Sequence, residues 1–425
     1  MNIWYFHHYA TPNHIAGLHR PFEFGKYFCE QGDCMTVFSS SYLHYSDENM
    51  ITDKRLFIKE TYDGIDTVFI RTKGYQSSGV KRIVNMWQFY RRLFPVAKKY
   101  AKEKGKPDII IASSPHPLVM MAGLGIARKY KIPCICEVRD FWPEVFFTGG
   151  RLKENSLLGR FLLYKERKIY EKADGLLFLK EGDHTYITDK KWDVDNGGKI
   201  DMSKCHYINN GVSIEKFDAN VVNFPINGFE TAQDKFIVTY CGAIRPVNKV
   251  DLLLDAAKEL DESYQIHIYG TGNCVEQLQN RIVNEKISNV ILKGYIENKY
   301  VPFVLSQSSV NILNYSGQAY NWSRGNSSNK LFEYLASGKP VISTVKMGYD
   351  ILERYACGIS TEECNGENIA KAIKLIKNYT TKEYQQMACN ARQAALQFDI
   401  AHLSKEYRNV LSITKEKYME QKNHG

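Results

Sequence analysis

The sequence predicts an α/β protein with two Rossmann-like parallel-sheet domains facing each other across a cleft. Short apolar runs alternate with amphipathic helical segments, which is the β-α-β rhythm of a parallel sheet covered on both faces. This rhythm stops in the polar stretch 218–234 and then begins again. A length of 425 residues is also too long for one hydrophobic core, so two domains are expected.

The predicted strands are the short apolar runs bounded by polar or turn-forming residues. In the first half they lie at 107–114, 131–140, 173–180 and 204–212. In the second half they lie at 235–244, 264–270, 289–296, 309–315 and 339–344. The tail from about residue 380 has a helical, charged pattern. We therefore predict domains at 1–222 and 223–425, with the terminal helices packing back on the first domain.

The composition is that of a soluble globular protein, with 44% hydrophobic and 24% charged residues. No apolar run reaches the roughly 18 residues that a membrane span needs. The start, MNIWYFHHYATP, has no basic region and no cleavage site, so we expect no signal peptide. Ten scattered cysteines fit a reducing cytoplasm, and Cys134 and Cys136 are expected to be small core residues.

Positive charge is concentrated in one segment. Between Arg71 and Lys106 there are eleven Lys or Arg residues and one acid, so this segment carries +10 while the whole chain carries +9. Residues 79–104 have helical periodicity, which Pro95 is expected to kink or interrupt. The predicted apolar stripe is Ile83, Met86 or Trp87, Tyr90, Phe94 and Ala97. Such a helix suits an anionic membrane surface; the alternative is a packed helix with a solvated basic rim.

The stretch SSNKLFEYLASGKPVIST (327–344) holds the strongest candidate site. Lys330 and Glu333 are three residues apart, so they lie on one face of the predicted helix. Ser327 or Ser328 is the expected N-cap, and helix N-termini attract anions. The carboxylate suits two neighbouring hydroxyl groups, as in a ribose. The alternative is a surface helix with a salt bridge.

Two loops after predicted strands are further candidates. TYCGAIRPVNK places Arg245 and Asn248 in a βα loop, where an arginine can bind phosphate in a bidentate manner. IYGTGN offers Gly270 and Gly272, but position 275 is valine, so the dinucleotide fingerprint GxGxxG is incomplete. These glycines therefore indicate a turn as much as a ligand loop.

The motifs YCGAIRPVN, HIYGTG, VILKGYI and SSNKLFEYLASGKPVI, in this order and spacing, resemble the second domain of family 4 glycosyltransferases, which have the GT-B fold. YINNGVSIEKF (207–217) looks like the interdomain NGVD-x-x-x-F segment of that family. SSPHPL (113–118), EVRDFWPE (137–144) and the run at 166–175 resemble a bacterial subgroup that builds O-antigen and capsule sugars, including fucosamine-type transferases. The resemblance covers roughly residues 3 to 400.

The resemblance implies a role for each matching residue. Arg245 and Lys330 would neutralise the donor diphosphate, and Glu333 would bind the ribose hydroxyls. His116 and Asp140 would face the sugar and the acceptor from the first domain and join Arg245 and Lys330 as catalytic residues. The remaining expected donor-binding residues are Gly17 in the loop after the first strand, Asn248, Gly294 and Tyr295 in the nucleotide-base loop, and Leu331 next to Lys330.

The chain departs from the family pattern at two places. The family has a pair of glutamates eight positions apart, and the first of them is replaced here by Gly325. Asn326 or a main-chain amide is the candidate replacement, so the sugar remains open. The usual Lys-Gly pair after the arginine loop is replaced by Asn248 and Lys249.

No metal or other cofactor is expected. The Asp-x-Asp pair in WDVDN (192–196) is the metal motif of the other major glycosyltransferase fold, but here it lies in a predicted surface loop without further ligands. Two fixed cations, Arg245 and Lys330, are enough to stabilise a leaving diphosphate.

The expected activity is retaining transfer of a sugar, with UDP-sugar as the favoured donor, to an undecaprenyl-diphosphate-linked saccharide at the inner face of a bacterial cell membrane. The expected location is therefore cytoplasmic and peripheral to that membrane. One alternative is a nucleotide-sugar epimerase of the same fold. The other is a nucleic-acid-binding protein that uses residues 71–106, which we rank last because no nucleic-acid motif is present.

Overall fold

The computed structural model describes residues 1–15, 17–75, 79–226, 228–229, 234–317 and 321–424. They form two compact units, each with its own sheet. The first unit contains Met1–Leu179, Asp183–Ile208 and the chain from Ser404 onward. The second unit contains Lys180–Gly182 and Asn209–Leu403.

The first unit is built on an eight-stranded sheet. Its strands are β1 (Asn2–Phe6), β2 (Cys34–Ser40), β3 (Phe57–Tyr62), β4 (Ile65–Ile70), β5 (Ile109–Ser113), β6 (Cys134–Val138), β7 (Gly175–Phe178) and β8 (Cys205–Tyr207), in the order β3-β4-β2-β1-β5-β6-β7-β8. All neighbours are parallel except β3 and β4. These two form a hairpin whose turn, Asp63-Gly64, has positive φ at both residues (51° and 78°), as a type I′ turn requires.

Helices cover this sheet. They are α1 (Arg20–Glu30), α2 (Val80–Lys104), α3 (Pro117–Tyr130), α4 (Trp142–Thr148), α5 (Leu157–Lys172) and α6 (Thr185–Asp189). Helix α2 contacts α3, and α3 contacts α5, so these three helices form one layer. The core beneath this layer contains Trp4, Phe38, Tyr100 and Ile110, all fully or almost fully buried.

Helix α2 differs from its prediction in the face that it buries. Pro95 lies inside the helix and does not interrupt it, so of the two expected effects only a kink stays a prediction. The buried stripe is Met86, Phe89, Leu93, Val96 and Tyr100, with Ala97, rather than the stripe that begins at Ile83. Ile83 and Trp87 are exposed instead, because the sheet lies on the neighbouring side of the helix.

The second unit is built on a six-stranded sheet in which all neighbours are parallel. Its strands are β9 (Phe236–Cys241), β10 (Tyr264–Tyr269), β11 (Val290–Gly294), β12 (Val310–Leu313), β13 (Val341–Ser343) and β14 (Gly358–Ser360), in the order β11-β10-β9-β12-β13-β14. Its helices are α7 (Ile214–Asn223), α8 (Asp251–Lys258), α9 (Val275–Asn284), α10 (Val301–Ser306), α11 (Asn329–Ala336), α12 (Ile351–Arg354), α13 (Gly366–Lys377) and α14 (Thr381–Gln397).

The division between the units falls at Ile208/Asn209 rather than at 222/223. The reason is that α7 packs against α10 and α11 of the second sheet. The last helix, α15 (Ile400–His424), belongs to the first unit from Ser404 onward. There the Tyr407 ring packs against the rings of Phe24 and Phe28, at centroid distances of 5.4 and 5.5 Å. Among the described helices, none is both long enough and apolar enough to cross a membrane.

Candidate functional site

The strand order of the second unit places its candidate site. Strand β9 has β10 on one side and β12 on the other, so the connections that leave β9 and β12 diverge there. In an open parallel sheet, ligands bind at the carboxyl ends of the strands at such a point. Arg245 and Asn248 follow β9, Tyr315 follows β12, and α11 begins nearby at Asn329.

Lys330 is held against two tyrosine rings at this point. Its Nζ donates a hydrogen bond of 3.2 Å to the hydroxyl of Tyr240 and lies 4.9 Å from the Tyr240 ring centroid and 5.6 Å from that of Tyr315. Gly242, directly after β9, lies against the end of the Lys330 side chain. A Cβ at Gly242 would lie 2.5 Å from both Cε and Nζ of Lys330, so glycine is what allows this approach.

The electrostatics of Lys330 follow from its surroundings. Burial lowers the pKa of Lys330 to about 8, because an ammonium loses hydration there. Arg245 also lowers this pKa, whereas Glu333 and Cys241 raise it. Arg245 itself is exposed. The site therefore presents a cation whose charge is only weakly compensated by the protein, and an anionic ligand would stabilise it.

Glu333 lies on the same side of α11 as Lys330. It is partly exposed. Burial, and then the charge of Glu333, raise the pKa of the Cys241 thiol at the end of β9 to about 12, while the Lys330 charge opposes this rise. A carboxylate thus stands beside the cation, in a position to accept hydrogen bonds from hydroxyl groups.

The start of α11 is held by contacts that the sequence did not predict. Ser328 occupies the N-cap position, but its side chain makes no capping bond. Instead its Oγ accepts a hydrogen bond of 2.6 Å from the hydroxyl of Tyr315. The preceding loop is fixed by the side-chain amides of Asn209 and Asn210, which donate to the carbonyls of Asn326 (3.0 Å) and Ser327 (2.7 Å).

Asn326 is the residue that follows Gly325, where the family glutamate is missing. Its Oδ1 accepts a hydrogen bond of 2.9 Å from the Ser328 amide. Its Nδ2 is buried and has no hydrogen-bond partner among the described residues. A buried donor without a partner is costly, so this amide is suited to a ligand oxygen.

The remaining expected donor-binding residues of this unit lie around the same sheet edge. Asn248 is buried, and its carbonyl accepts a hydrogen bond of 2.7 Å from Asn314 Nδ2, which ties the β9 loop to β12. Leu331 is buried behind Lys330. Gly294 ends β11, two strands from β9, and Tyr295 after it is exposed and lines an open groove of about 460 Å³.

In the first unit, His116 and His8 form a buried pair. His116 is the N-cap residue of α3 and follows β5, while His8 follows β1, the neighbouring strand. His116 Nε2 and His8 Nδ1 share a hydrogen bond of 2.6 Å, and the His8 ring stacks on Phe89 at 4.6 Å. Burial lowers the pKa of His116 to about 3, so both rings are neutral at pH 7. His116 Nδ1 has no partner among the described residues.

The other two expected residues of the first unit lie in loops. Asp140 follows β6 and is exposed. Gly17 lies in the loop after β1, where a Cβ would approach Thr11 Oγ1 to 2.0 Å, so a larger residue would displace Thr11.

The first unit contains a buried ion pair near its strand ends that the sequence analysis did not predict. The Arg20 guanidinium Nε donates to Glu137 at 2.8 Å, and the hydroxyl groups of Ser113 (2.5 Å) and Tyr5 donate to the same carboxylate. Burial alone would raise the pKa of Glu137, but the Arg20 charge and these hydrogen bonds lower it to about 2. Every one of these groups is buried.

The Asp-x-Asp pair also has a structural place. Asp193 is buried and caps a short 3₁₀ turn by accepting a hydrogen bond from the Asn196 amide at 3.2 Å, while Asp195 is exposed. Within the part of the chain that the structure describes, no three His, Cys, Asp or Glu side chains are grouped so that they could hold a metal ion.

Comparison with known proteins identifies the class. The model described as "Glycosyl transferase 4-like domain" matches residues 55–197, and the model described as "Glycosyl transferases group 1" matches residues 226–394. The chain belongs to the family 4 glycosyltransferases, which have the GT-B fold.

A curated relative and several solved structures are similar to the chain. The putative teichuronic acid biosynthesis glycosyltransferase TuaH of Bacillus subtilis is 25% identical over 206 residues, which are 48% of this chain and 51% of that protein. The chain thus spans about half the length of this relative. Anabaena Alr3699/HepE, solved with UDP, has a TM-score of 0.67 at 14% identity, covering 97% of this chain and 100% of that chain. Sucrose-phosphate synthase of Thermosynechococcus elongatus has a TM-score of 0.67 at 15% identity, covering 97% and 99%. At these identities the structures show a shared fold.

Proposed function

We propose that the protein is a retaining glycosyltransferase that moves a sugar from a UDP-sugar to a lipid-linked saccharide during surface polysaccharide synthesis. The observation that carries this proposal is the environment of Lys330. A cation of lowered pKa, fixed by Tyr240 and Tyr315 and accompanied by Arg245 and Glu333, matches a ligand that joins a diphosphate to a diol.

In this proposal, Lys330 and Arg245 bind the diphosphate of the donor and stabilise the negative charge that develops on it as the glycosidic bond breaks. Electrostatic stabilisation of this kind is a large contribution to catalysis. The N-terminus of α11 adds the partial positive charge of a helix start, while Leu331 is buried behind Lys330 and its amide donates to the Ser328 carbonyl at 3.1 Å. The β-phosphate takes the proton of the acceptor hydroxyl, so the reaction proceeds on one face of the sugar and needs no separate carboxylate base or metal.

The other residues position the donor. Glu333 accepts hydrogen bonds from the ribose hydroxyls, and Asn248 holds the β9 loop that carries Arg245. Gly294 and Tyr295 contact the base. The unpaired Nδ2 of Asn326 takes over the sugar contact that Gly325 cannot make.

The first unit supplies the acceptor side. Gly17 leaves room for the donor phosphates, and Asp140 lies toward the acceptor. His116 is a neutral imidazole whose Nε2 is engaged by His8, which leaves Nδ1 to make one hydrogen bond to the sugar.

The choice of UDP and of a lipid-linked acceptor has indirect support. HepE was solved with UDP, and the name of TuaH refers to teichuronic acid synthesis. Helix α2 also has a surface suited to an anionic membrane, since Val80, Ile83, Val84 and Trp87 are exposed beside Lys81 and Arg91. We propose peripheral attachment of residues 79–104 to the cytoplasmic membrane face and an undecaprenyl-diphosphate-linked acceptor.

The test is calorimetric titration with UDP, GDP and ADP in the presence of a chelator. We expect micromolar binding of UDP in preference to the others, because the proposed site needs no metal. Glu333→Ala and Lys330→Ala should each weaken binding by about tenfold or more, as for loss of a charged hydrogen bond.

Glu276→Ala is the matched control, because it removes an exposed glutamate from α9 of the same unit. It should bind UDP like the wild type. Absence of binding to all three nucleotides, or equal binding by the Glu333 variant and the control, would contradict the proposed function.

A further inference from the structure

A mostly apolar cavity lies between α3, α4 and α5, and of the residues assigned to the proposed reaction Asp140 is in its lining. Its volume is about 250 Å³, and its lining includes Leu118, Met121, Trp142, Phe146 and Phe161. An apolar cavity of about 150 Å³ already accommodates benzene, so this one has room for a segment of hydrocarbon chain.

The carboxyl group of Glu166 also lines this cavity but is directed into the protein. It accepts hydrogen bonds from the hydroxyls of Tyr170 (2.8 Å) and Tyr186 (2.7 Å). Asp140 and Lys165 also line the cavity, and the rest of its lining is mostly apolar.

A second cavity, of about 300 Å³, adjoins the first along α5. The two share Met121, Lys165 and Ile169. The second cavity is cationic, because Arg128, Lys168 and Lys172 line it together with Lys165.

These cations are poorly compensated. Lys168 pairs with Glu171 at 2.6 Å. Within the described residues, Arg128, Lys165 and Lys172 form no ion pair. A mostly apolar cavity joined to a cationic one that is only partly compensated has the chemistry of a site for an anionic amphiphile.

The outer surface of α5 supports the same conclusion. Leu157, Leu158, Phe161 and Tyr164 are exposed, Leu157 to 89%. Their spacing places them on one helical face, and an exposed apolar face with a cationic border is typical of a membrane contact. The exposed apolar residues of α2 belong to a helix of the same layer.

We propose that α5 and the two cavities beside it form a docking site for an anionic phospholipid. One acyl chain enters the apolar cavity, and the phosphate lies against Arg128, Lys165, Lys168 and Lys172. This extends the membrane contact of the proposed function from α2 to a specific lipid site, and it rests on that function only in the assumption that the protein works at a membrane.

The first experiment is co-sedimentation of the full chain with vesicles of phosphatidylglycerol and phosphatidylcholine, compared with vesicles of phosphatidylcholine alone. Wild type should partition to the anionic vesicles preferentially. The double variant Arg128→Glu/Lys172→Glu should bind at least about 25-fold more weakly, at roughly fivefold for each lost cation. Phe161→Asp should weaken binding to both kinds of vesicle.

Matched controls come from the second unit. Lys382→Glu changes an exposed lysine, and Val283→Asp changes an exposed apolar residue of α9. Both should bind vesicles like the wild type. The UDP affinity of every variant reports an intact second unit. A protein that binds UDP normally but does not bind lipid overturns only the lipid site. A protein that binds lipid but does not bind UDP overturns only the proposed function.

The second experiment locates the acyl chain. Phosphatidylglycerol with brominated acyl chains should quench tryptophan fluorescence, and Trp142→Phe should remove part of that quenching because Trp142 lines the apolar cavity. If all quenching depends on Trp87 of α2, or if the α5 variants bind vesicles like their controls, the lipid site is refuted and the contact is confined to α2.

Discussion

Lys330 provides a prediction that pH can test. Its pKa of about 8 means that about nine tenths of the side chains are charged at pH 7 and about one tenth at pH 9. A bound diphosphate favours the charged form and raises this pKa. The Lys330 contribution to UDP affinity should therefore be nearly constant below about pH 7 and fall about tenfold between pH 7 and pH 9.

Proton uptake gives an independent measure of the same event. Above the pKa of the unliganded protein, binding of UDP must be accompanied by protonation of Lys330. We expect about 0.9 proton per UDP at pH 9 and about 0.1 at pH 7, measured by calorimetry in buffers of different ionisation enthalpy. Burial raises the pKa values of Tyr240 and Cys241, so neither group takes up a proton in this range.

Lys330→Arg is the decisive comparison, because a guanidinium remains charged throughout this range. The pH dependence of UDP affinity in this variant should reflect only the ionisation of UDP itself. The proton uptake that we assign to Lys330 in the wild type should be absent. Equal pH profiles and equal proton uptake in the wild type and Lys330→Arg would refute the reasoning, even if both proteins bind UDP.

Three further predictions concern Gly242 in the second unit and Glu137 in the first. Gly242→Ala should weaken UDP binding by about tenfold in calorimetry and leave the fold intact, because its Cβ meets the flexible end of Lys330; unchanged affinity would contradict the described approach. Glu137→Gln should destabilise the first unit by about 3–5 kcal/mol in denaturant unfolding, since it removes the negative charge that faces the buried Arg20 guanidinium. The pKa of Glu137 is about 2, so the stability that its charge contributes should be present above about pH 4.5 and lost as the pH falls toward 2. If the wild type and Glu137→Gln unfold at the same pH in acid, this expectation is wrong.

The strands of the second unit could be predicted well because each is a short apolar run between glycine, proline or polar residues. Strand β14 was missed because Gly358–Ser360 is only three residues long and has no apolar run around it. The β3–β4 hairpin was also missed, although Asp63-Gly64 between two alternating segments is a strong hairpin signal.

The face that α2 buries could not be decided from periodicity. Apolar residues lie on more than one side of this helix, so the stripe through Ile83 and Phe94 fits a 3.6-residue period as well as the stripe through Phe89 and Leu93. Contact with the sheet selects the second stripe, and that contact depends on tertiary structure.

The candidate donor site was predicted only in part, for a similar reason. Lys330 and Glu333 are close in sequence, so their shared face follows from helix geometry. Tyr240 lies in β9, 90 residues before Lys330, and Tyr315 follows β12. Only the neighbouring positions of β9 and β12 bring both rings to the same ammonium.

Tyr315 connects two parts of the candidate site through different atoms of one side chain. Its ring lies beside Lys330, while its hydroxyl holds Ser328 at the start of α11. Tyr315→Phe would keep the first contact and release the second, and Tyr315→Leu would remove both. The effects of substitutions at Tyr315 and Lys330 on UDP binding should therefore be strongly non-additive. Whether a substitution at one of these positions is tolerated should depend on the residue at the other.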